Sequence, residues 1–478
     1  FSIASDGSLS TPTSGTSNVR FGVNAGNSIQ SGGNYNTVIG DEAGTAITTG
    51  DENVAVGYAA LSTNTTGTGN VALGKDALKT NLDGVNNVAA GDSALELNTG
   101  SNNTAIGDKA LTANTVGSHS TAVGKGALDA QNPTTATNMY NVAVGSDAGG
   151  AITTGVSNTL IGALSGDALT EGTRNTAVGI SALSGDTLGS KAVAVGRNAL
   201  LAQNFTTATD NYNVAVGDSA GQAVTTGFYN TLIGGLAGDA LTDADYNTAL
   251  GTFSLSADTL GSKSTALGYG TLDTQNFTTA TDTFNTAVGF NAGTAVTTGV
   301  RNTLIGSLAG DALTDADSNV AVGTNALGAD TLGSKSIAIG QGSLFNQNFT
   351  TATDSHNIAI GHEAGLNVTT GVQNTLIGST SGDALTDADK NVALGFAALG
   401  TDTLGSKSTA IGDSALGSQN FTTATDTFNT AVGFEAGARI TTATSNTVIG
   451  GLAGDHLTTG AANVALGASA LGADTLGQ

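Results

Sequence analysis

The closest grouping of carboxylates lies in the segment GDALTDAD. It occupies 238–245 and recurs at 310–317 and 382–389. The first copy places Asp239, Asp243 and Asp245 within seven residues. Carboxylates at alternate positions can bind calcium. The EF-hand loop pattern is absent, however, and acidic residues in solvated turns have the same composition. These aspartates are therefore weak calcium candidates, and no metal is assigned.

The remaining reactive side chains do not form a catalytic set. No metal-ligand spacing joins the four histidines, His119, His356, His362 and His456. No nucleophile elbow is present, and no GxG spacing lies in a βαβ context. Catalysis needs one asymmetric site, whereas this sequence repeats nearly uniform units. We therefore expect no enzymatic activity and no cofactor, and a carbohydrate-active β-helix enzyme is the least favoured class.

The loop QNFTTATD offers the best candidate binding site. Its four copies start 72 residues apart, at 203–210, 275–282, 347–354 and 419–426. They contribute Phe205, Phe277, Phe349 and Phe421. On one interpretation, these rings and the Thr hydroxyls form a multivalent surface that contacts glycans, where weak sites add through avidity. On the other, each Phe packs against the next coil or a neighbouring chain.

A five-residue pattern sets the spacing of these loops. Asn, then Val or Thr, a small or aliphatic residue, an aliphatic residue and Gly recur with 26 anchor glycines, from Gly22 to Gly467. Most anchors lie 17 residues apart. From Gly145, three steps of 17 and one of 21 add up to 72, and the loop occupies the 21-residue step. The loop is thus a four-residue insertion into a constant coil.

The alternation of side chains within each pattern predicts a strand. The strand comprises the three residues between the Asn and the Gly. The third of these strand residues is aliphatic and predicts a dry inward face. The middle residue is usually Ala, as at Ala215, which indicates that the second face is buried against a closely approaching partner chain. Strands buried on both faces and repeated at one period are typical of a parallel β-solenoid. An all-β solenoid of 17- and 21-residue coils, assembled into an oligomer, is therefore predicted.

The Asn that precedes each anchor glycine by four residues supports the stacking of coils. Stacked amides can hydrogen-bond along the axis as a ladder, although turn propensity alone also favours Asn at the start of a strand. The anchor Gly would end the strand where a β-carbon would collide or where φ must be positive.

Composition limits the possible functions. The chain has 478 residues, with 70 Gly, no Cys and no Trp, so its core must be thin. Its net charge of −24 repels nucleic acid and anionic membrane. No stretch approaches 18 apolar residues, as a membrane-spanning helix would require.

Three regions are predicted along the chain. Residues 1–17 form a lead-in segment, 18–140 form irregular β-roll coils, and 141–478 form coils with the 72-residue super-repeat. The sequence begins at Phe1 without Met and stops in mid-motif at Gln478, so we expect a processed or truncated piece.

Several copies of the pattern resemble a known motif. NIAIG (357–361), SIAIG (336–340), STAIG (408–412) and NVAVG (141–145, 213–217) are similar to the NSVAIG motif of YadA-like head domains in trimeric autotransporter adhesins, and to related repeats in phage tail fibres. The resemblance implies a left-handed parallel β-roll in an elongated homotrimer, with the middle residue near the threefold axis. The coils here are longer, and no binding residue carries over because the shared motif is the scaffold.

These features predict an extracellular structural fibre or adhesin on a virion or cell surface. It would act as a rigid spacer, as a multivalent attachment surface or as both, with a host glycan or protein as its receptor. The alternative is an ice-, mineral- or glycan-binding solenoid, which a flat and regular Thr face would favour.

Overall fold

The computed structural model describes residues 2–3, 9–10 and 14–476, so most of the predicted lead-in segment 1–17 lies outside the described residues. The chain divides into two compact units, Phe1–Asp243 and Ala244–Gln478. The described residues contain short β-strands and no helix. This confirms the predicted all-β class.

The main strands have three residues each. Those of the first unit are Val19–Phe21, Thr37–Ile39, Val54–Val56, Val71–Leu73, Val88–Ala90, Thr104–Ile106, Thr121–Val123, Val142–Val144, Thr159–Ile161, Thr176–Val178, Val193–Val195, Val214–Val216 and Thr231–Ile233. Those of the second unit are Thr248–Leu250, Thr265–Leu267, Thr286–Val288, Thr303–Ile305, Val320–Val322, Ile337–Ile339, Ile358–Ile360, Thr375–Ile377, Val392–Leu394, Thr409–Ile411, Thr430–Val432, Thr447–Ile449 and Val464–Leu466.

Two-residue strands accompany them. An antiparallel pair joins Ser2–Ile3 to Leu9–Ser10. The others are Gly117–Ser118, Thr137–Asn138, Gly189–Ser190, Thr209–Asp210, Gly261–Ser262, Thr281–Asp282, Gly333–Ser334, Thr353–Asp354, Gly405–Ser406 and Thr425–Asp426.

Within each unit, successive three-residue strands pair in parallel and in register. Ala122, for example, lies opposite both Ala105 and Ala143. The backbone N–H of Val54 donates to the carbonyl of Asn70 at 2.8 Å, one coil further on. Equivalent residues of successive coils therefore stack in columns. Each unit is a parallel β-solenoid with a repeat of about 17 residues, as the period of the sequence predicts.

The predicted assignment of the strand faces is wrong. The middle residue of the strand, predicted to face a partner chain, is fully buried within the single chain, as at Ala55, Leu160 and Ala215. The first and third residues, including the third that was predicted to face inward, lie on the outer face. Where the opposite wall carries a buried Leu, only a small residue fits between the strand and that wall, which explains the frequent Ala.

The coil interior compensates for larger middle residues with glycine. Leu304 replaces the usual Ala, and the fourth residues after the anchors on either side of it are Gly293 and Gly310. A β-carbon at Gly293 or Gly310 would lie 2.6–2.7 Å from a methyl group of Leu304. Where the middle residues of both adjoining strands are Ala, as at Ala321 and Ala338, the equivalent position carries a buried Leu, here Leu327. A larger middle residue on the strand is thus balanced by a glycine on the opposite wall, and a smaller one by a Leu, so the thickness of the coil stays constant.

The anchor glycines meet both of the predicted requirements. Gly57 has a φ of +134°, and a β-carbon there would lie 2.4 Å from the carbonyl oxygen of Gly74 in the next coil. A side chain would therefore force adjacent coils apart.

Candidate functional site

Each 21-residue coil carries its extra residues on a loop that is held at its exit by a second, shorter ladder. Thr209–Asp210 pairs in parallel with Gly189–Ser190 of the preceding coil. Thr281–Asp282 pairs in the same way with Gly261–Ser262, and the later copies repeat the pairing. The loop is thus fixed to the coil before it, and its exposed residues occupy defined positions.

The four loop phenylalanines lie inward. Phe205, Phe277, Phe349 and Phe421 are only 5–6% exposed. A threonine hydroxyl of the preceding coil donates to each Phe carbonyl, as Thr259 does to Phe277 at 2.8 Å. Because so little of each ring reaches the surface, this burial favours packing over the glycan-contacting interpretation.

A buried aspartate organises the inner side of the loop. Asp258 is fully buried, and its Oδ1 accepts hydrogen bonds from the backbone N–H groups of Gly261 (3.0 Å) and Phe277 (3.2 Å). The amide of Gln275 donates to its Oδ2 at 2.5 Å. Burial raises the pKa of the Asp258 carboxyl, while these hydrogen bonds oppose the shift. Asp186, Asp330 and Asp402 occupy the same position in the other copies.

The buried Asn residues form the predicted ladder. The backbone N–H of Asn53 donates to the side-chain oxygen of Asn36 at 3.0 Å, and the amide of Asn53 donates to the carbonyl of Gly67 at 2.9 Å. Asn70 repeats both contacts one coil later. These bonds confirm the ladder, since turn propensity alone would not require bonds between coils.

The loop glutamine replaces the ladder bond where four residues are inserted. Before each insertion the Asn becomes Ser or Ala, which is too short to reach the ladder Asn of the next coil. Gln275 bridges this gap, because its amide donates to Ser264 Oγ at 2.9 Å and its oxygen accepts from Asn285 at 2.8 Å. The polar column therefore continues through the insertion without an unpaired amide at this position.

The residue that follows QNFTTATD also compensates for the shortened Asn. Ser264 contacts Thr283 through a 2.6 Å hydroxyl pair, and Ser336 pairs with Ser355. In the one copy with Ala192, the facing residue is the longer Asn211, whose oxygen accepts from the backbone N–H of Asn213 at 2.9 Å. The buried amide nitrogen of Asn211 has no hydrogen-bond partner, so the compensation in this copy is partial.

The outer side of each loop ends in a cluster of three residues that reach solvent, which we call the exit cluster. It contains a Lys, the last Asp of the loop and the aromatic residue two positions later. Lys263 Nζ lies 2.5 Å from a carboxylate oxygen of Asp282 and 5.3 Å from the ring centroid of Phe284. The other exit clusters are Lys191–Asp210–Tyr212, Lys335–Asp354–His356 and Lys407–Asp426–Phe428.

The GDALTDAD aspartates serve largely as acceptors between coils. Thr226 Oγ1 donates to Asp243 at 2.6 Å, and the backbone N–H of Val300 donates to Oδ1 of Asp317, the copy of Asp245 in the next super-repeat, at 2.8 Å. Burial raises the pKa of Asp311, the copy of Asp239 in the next super-repeat. Among the described residues, no group of three or more His, Cys, Asp or Glu is placed to hold a metal ion.

The histidines lie apart from one another. His119 Nδ1 is 3.1 Å from Asn138 Oδ1, and its ring centroid is 5.3 Å from that of Tyr140. His356 belongs to an exit cluster, while His362 and His456 lie beside Glu363 and Asp455 respectively. They do not converge on one site in the described part of the chain.

Sequence reasoning missed the buried carboxylate and the exit cluster. The available signal was periodic: Asp258 and Lys263 recur every 72 residues together with the loop, as Asp330 and Lys335 do. Their contacts span 17–19 residues, and nothing in the sequence shows which face of the coil each side chain occupies.

No protein-family model matches the chain, and a search of curated proteins finds no significant relative. Within the described residues, no helix is long and apolar enough to cross a membrane. The functional interpretation therefore depends on the geometry of the coils.

Proposed function

We propose that the chain is a non-enzymatic structural fibre or adhesin of a virion or cell surface, and that three copies assemble side by side. This would make it an extracellular protein that acts as a rigid spacer and attachment surface. The resemblance to YadA-like head repeats supports the trimer, the left-handed roll and the surface location.

The observation that carries the proposal is the outer face of the strand ladder. The third strand residue is aliphatic in nearly every coil, and these side chains stack in a column on the outside. Ile305 and Ile339 are 38% and 36% exposed, and Leu394 is 44% exposed. Monomeric soluble proteins rarely leave such a continuous apolar surface uncovered. A second copy carries the same column and can cover it symmetrically.

The uniformity of the coils argues for a scaffold. Loop, buried carboxylate and exit cluster are repeated at a constant interval, so any property of one coil is shared by several. A surface built in this way suits contacts with an extended or repetitive partner, because many weak contacts add.

A charge placed in the apolar column tests the assembly. Light scattering of the purified chain should give a mass near three chains, and Ile305→Glu/Ile339→Glu should give single chains because unpaired charge is costly in a dry interface. Thr351→Glu, in an exposed loop position, should assemble normally. A native chain that is monomeric, or a double variant that still forms trimers, would contradict the proposal.

Location needs a separate measurement. Immunogold labelling of intact particles or cells with an antibody to the chain should decorate the surface along projecting fibres. Label confined to the interior would exclude a surface fibre, whatever the state of assembly.

One observation favours an ice-binding solenoid as a second candidate. The first strand residue also faces outward, and in several neighbouring coils of the second unit it is Thr, as at Thr265, Thr286 and Thr303. A flat parallel sheet with regular Thr rows could order water. This function requires the same face to be uncovered, so a monomer that shows thermal hysteresis would support it over the fibre.

A further inference from the structure

The exit clusters combine an exposed ring with a donor and an acceptor. Phe284 and Phe428 are 54% and 57% exposed, and Tyr212 is 44% exposed. The Lys and Asp of each cluster also reach solvent, with Lys263 39% and Asp282 50% exposed. Ring, ammonium and carboxylate are therefore accessible together on one side of the loop.

The backbone conformation of the aromatic residue in each exit cluster does not explain why an aromatic residue occurs there. Tyr212, Phe284, His356 and Phe428 have φ values between 49° and 52°. In this left-handed region Gly and Asn are the residues of lowest cost. All five 21-residue coils nevertheless carry a ring here, the first being Tyr140. Because the rings are half exposed, burial in the core does not account for them.

The placement of the exit clusters differs from that of the buried phenylalanines. Phe277 anchors the inner side of the loop, whereas Phe284 lies beyond Asp282 at its outer exit. The loop therefore has one ring for packing and one that faces solvent.

We propose that each exit cluster binds one pyranose ring of a neutral glycan; this deepens, and rests on, the proposed role in attachment. The part of the ring that is left open by the Lys ammonium, and at Tyr212 also by the stacked Tyr229, would contact the apolar C–H face of the sugar. The Asp carboxylate would accept a hydrogen bond from one sugar hydroxyl, and the Lys ammonium would donate to another.

Charge selects a neutral sugar over an acidic one. In each cluster the Lys is already paired with its Asp, as Lys191 is with Asp210 at 2.6 Å, so the cluster has no net charge. The chain as a whole carries −24. Long-range repulsion therefore disfavours uronic, sialic or sulfated sugars, while stacking and hydrogen bonding to a neutral ring are unaffected.

The spacing of the clusters suits a polymeric glycan. In the second unit, the rings of Phe284, His356 and Phe428 recur every four coils, roughly 19 Å apart at about 4.8 Å per strand spacing. Each contact is small and solvent-exposed, so binding to a single sugar should be weak. Several clusters that engage one polysaccharide gain affinity through effective concentration.

Affinity electrophoresis of the purified full chain tests the assignment. The probes are soluble neutral glucan, galactan and mannan, with polygalacturonate as the acidic comparison. We expect at least one neutral polysaccharide to retard the native chain. The variant Tyr212→Ala/Phe284→Ala/Phe428→Ala should bind at least about tenfold more weakly, since avidity multiplies the loss at each cluster.

Two matched variants control for fold and for surface hydrophobicity. Tyr58→Ala/Phe290→Ala/Phe396→Ala removes three equally exposed rings outside the clusters and should bind within about twofold of the native chain. Tyr212→Trp/Phe284→Trp/Phe428→Trp retains a stacking face and should bind at least as well as the native chain.

Three outcomes would overturn the assignment: no retardation by any neutral polysaccharide, retardation by polygalacturonate alone, or equal binding by the native chain and the cluster variant. The measurement uses the isolated chain, so its failure is distinct from failure of the proposed function. Immunogold labelling decides the surface location independently.

Discussion

The 17-residue and 21-residue coils solve the same packing problem with different chemistry. The 17-residue coil that contains Leu304 fills its interior with aliphatic side chains and one Asn amide, and it buries no carboxylate next to that amide. The 21-residue coil buries Gln347 against Asp330 of the coil before it, and seals the loop with Phe349. Regular coils are held by apolar volume, and the inserted loop is held by directional hydrogen bonds.

This difference explains how four extra residues fit without breaking the stack. The parallel ladder continues in register across the insertion, with Ala338 opposite Ala359. The amide column also continues, because Gln347 accepts from Asn357 at 2.9 Å and donates to Ser336 at 2.8 Å. An insertion is tolerated where both ladders can be re-formed on its far side.

The largest effect should follow from disturbing apolar volume in a 17-residue coil. Leu304→Ala leaves a cavity between Gly293 and Gly310, and we expect a local loss of about 4 kcal/mol. Hydrogen exchange should report it as opening of the neighbouring coils, since solenoid stability is a sum over adjacent repeats.

The compensating change sharpens this test. Gly310→Leu in the Leu304→Ala background should recover part of the loss, because Leu327 occupies the equivalent position at a similar φ, 56° against 55° for Gly310. Gly310→Leu alone should destabilise the coil, since its side chain would collide with Leu304. If the stability losses of the two single variants simply add in the double variant, the side chains at 304 and 310 do not compensate for one another in volume.

A smaller effect is expected from the ring that seals the insertion. Phe277→Ala should cost on the order of 3 kcal/mol locally, because Phe277 is buried but lies at the edge of the coil. Exchange should increase around residues 268–289 and where the preceding coil contacts the loop, at Asp258 and Thr259, and stay unchanged in coils further away. Phe284→Ala, which removes an exposed ring from the same loop, is the matched control. Equal exchange in the two variants would show that Phe277 does not hold the loop.

The sequence predicted the fold more completely than the site, for a physical reason. Period, strand position and the Asn column are local patterns, and each repeats in most coils. Which strand face lies inside the coil depends on the thickness of the coil, and the sequence of a single coil does not specify that thickness. Ala215 was therefore predicted to face a partner chain, whereas it lies inside its own coil. The buried Asp258 and the exit cluster depend on contacts between coils, which a pattern read along the chain does not show.

The smallest effect should appear when the buried carboxylates are titrated. Burial raises the pKa of Asp258 and of Asp330 above that of an exposed Asp. The folded coil therefore binds this proton more tightly than the unfolded chain does. This contribution to stability is fully present below the unfolded pKa of about 3.9 and is lost as the pH rises through the folded value.

Acidification from pH 7 towards pH 4 should consequently increase the protection of the coils that bury Asp258 and Asp330 relative to coils that bury no carboxylate. Hydrogen exchange corrected for intrinsic rates measures this difference, and the coils that bury no carboxylate account for the general relief of charge repulsion as the net charge falls. Asp258→Asn removes the titrating group, so its coil should lose this extra dependence on pH while the coil of Asp330 keeps it. If the Asp258 coil instead loses protection at low pH relative to its neighbours, the carboxylate is stabilised in its charged form, and its hydrogen bonds to Gln275 and to the loop backbone outweigh its burial.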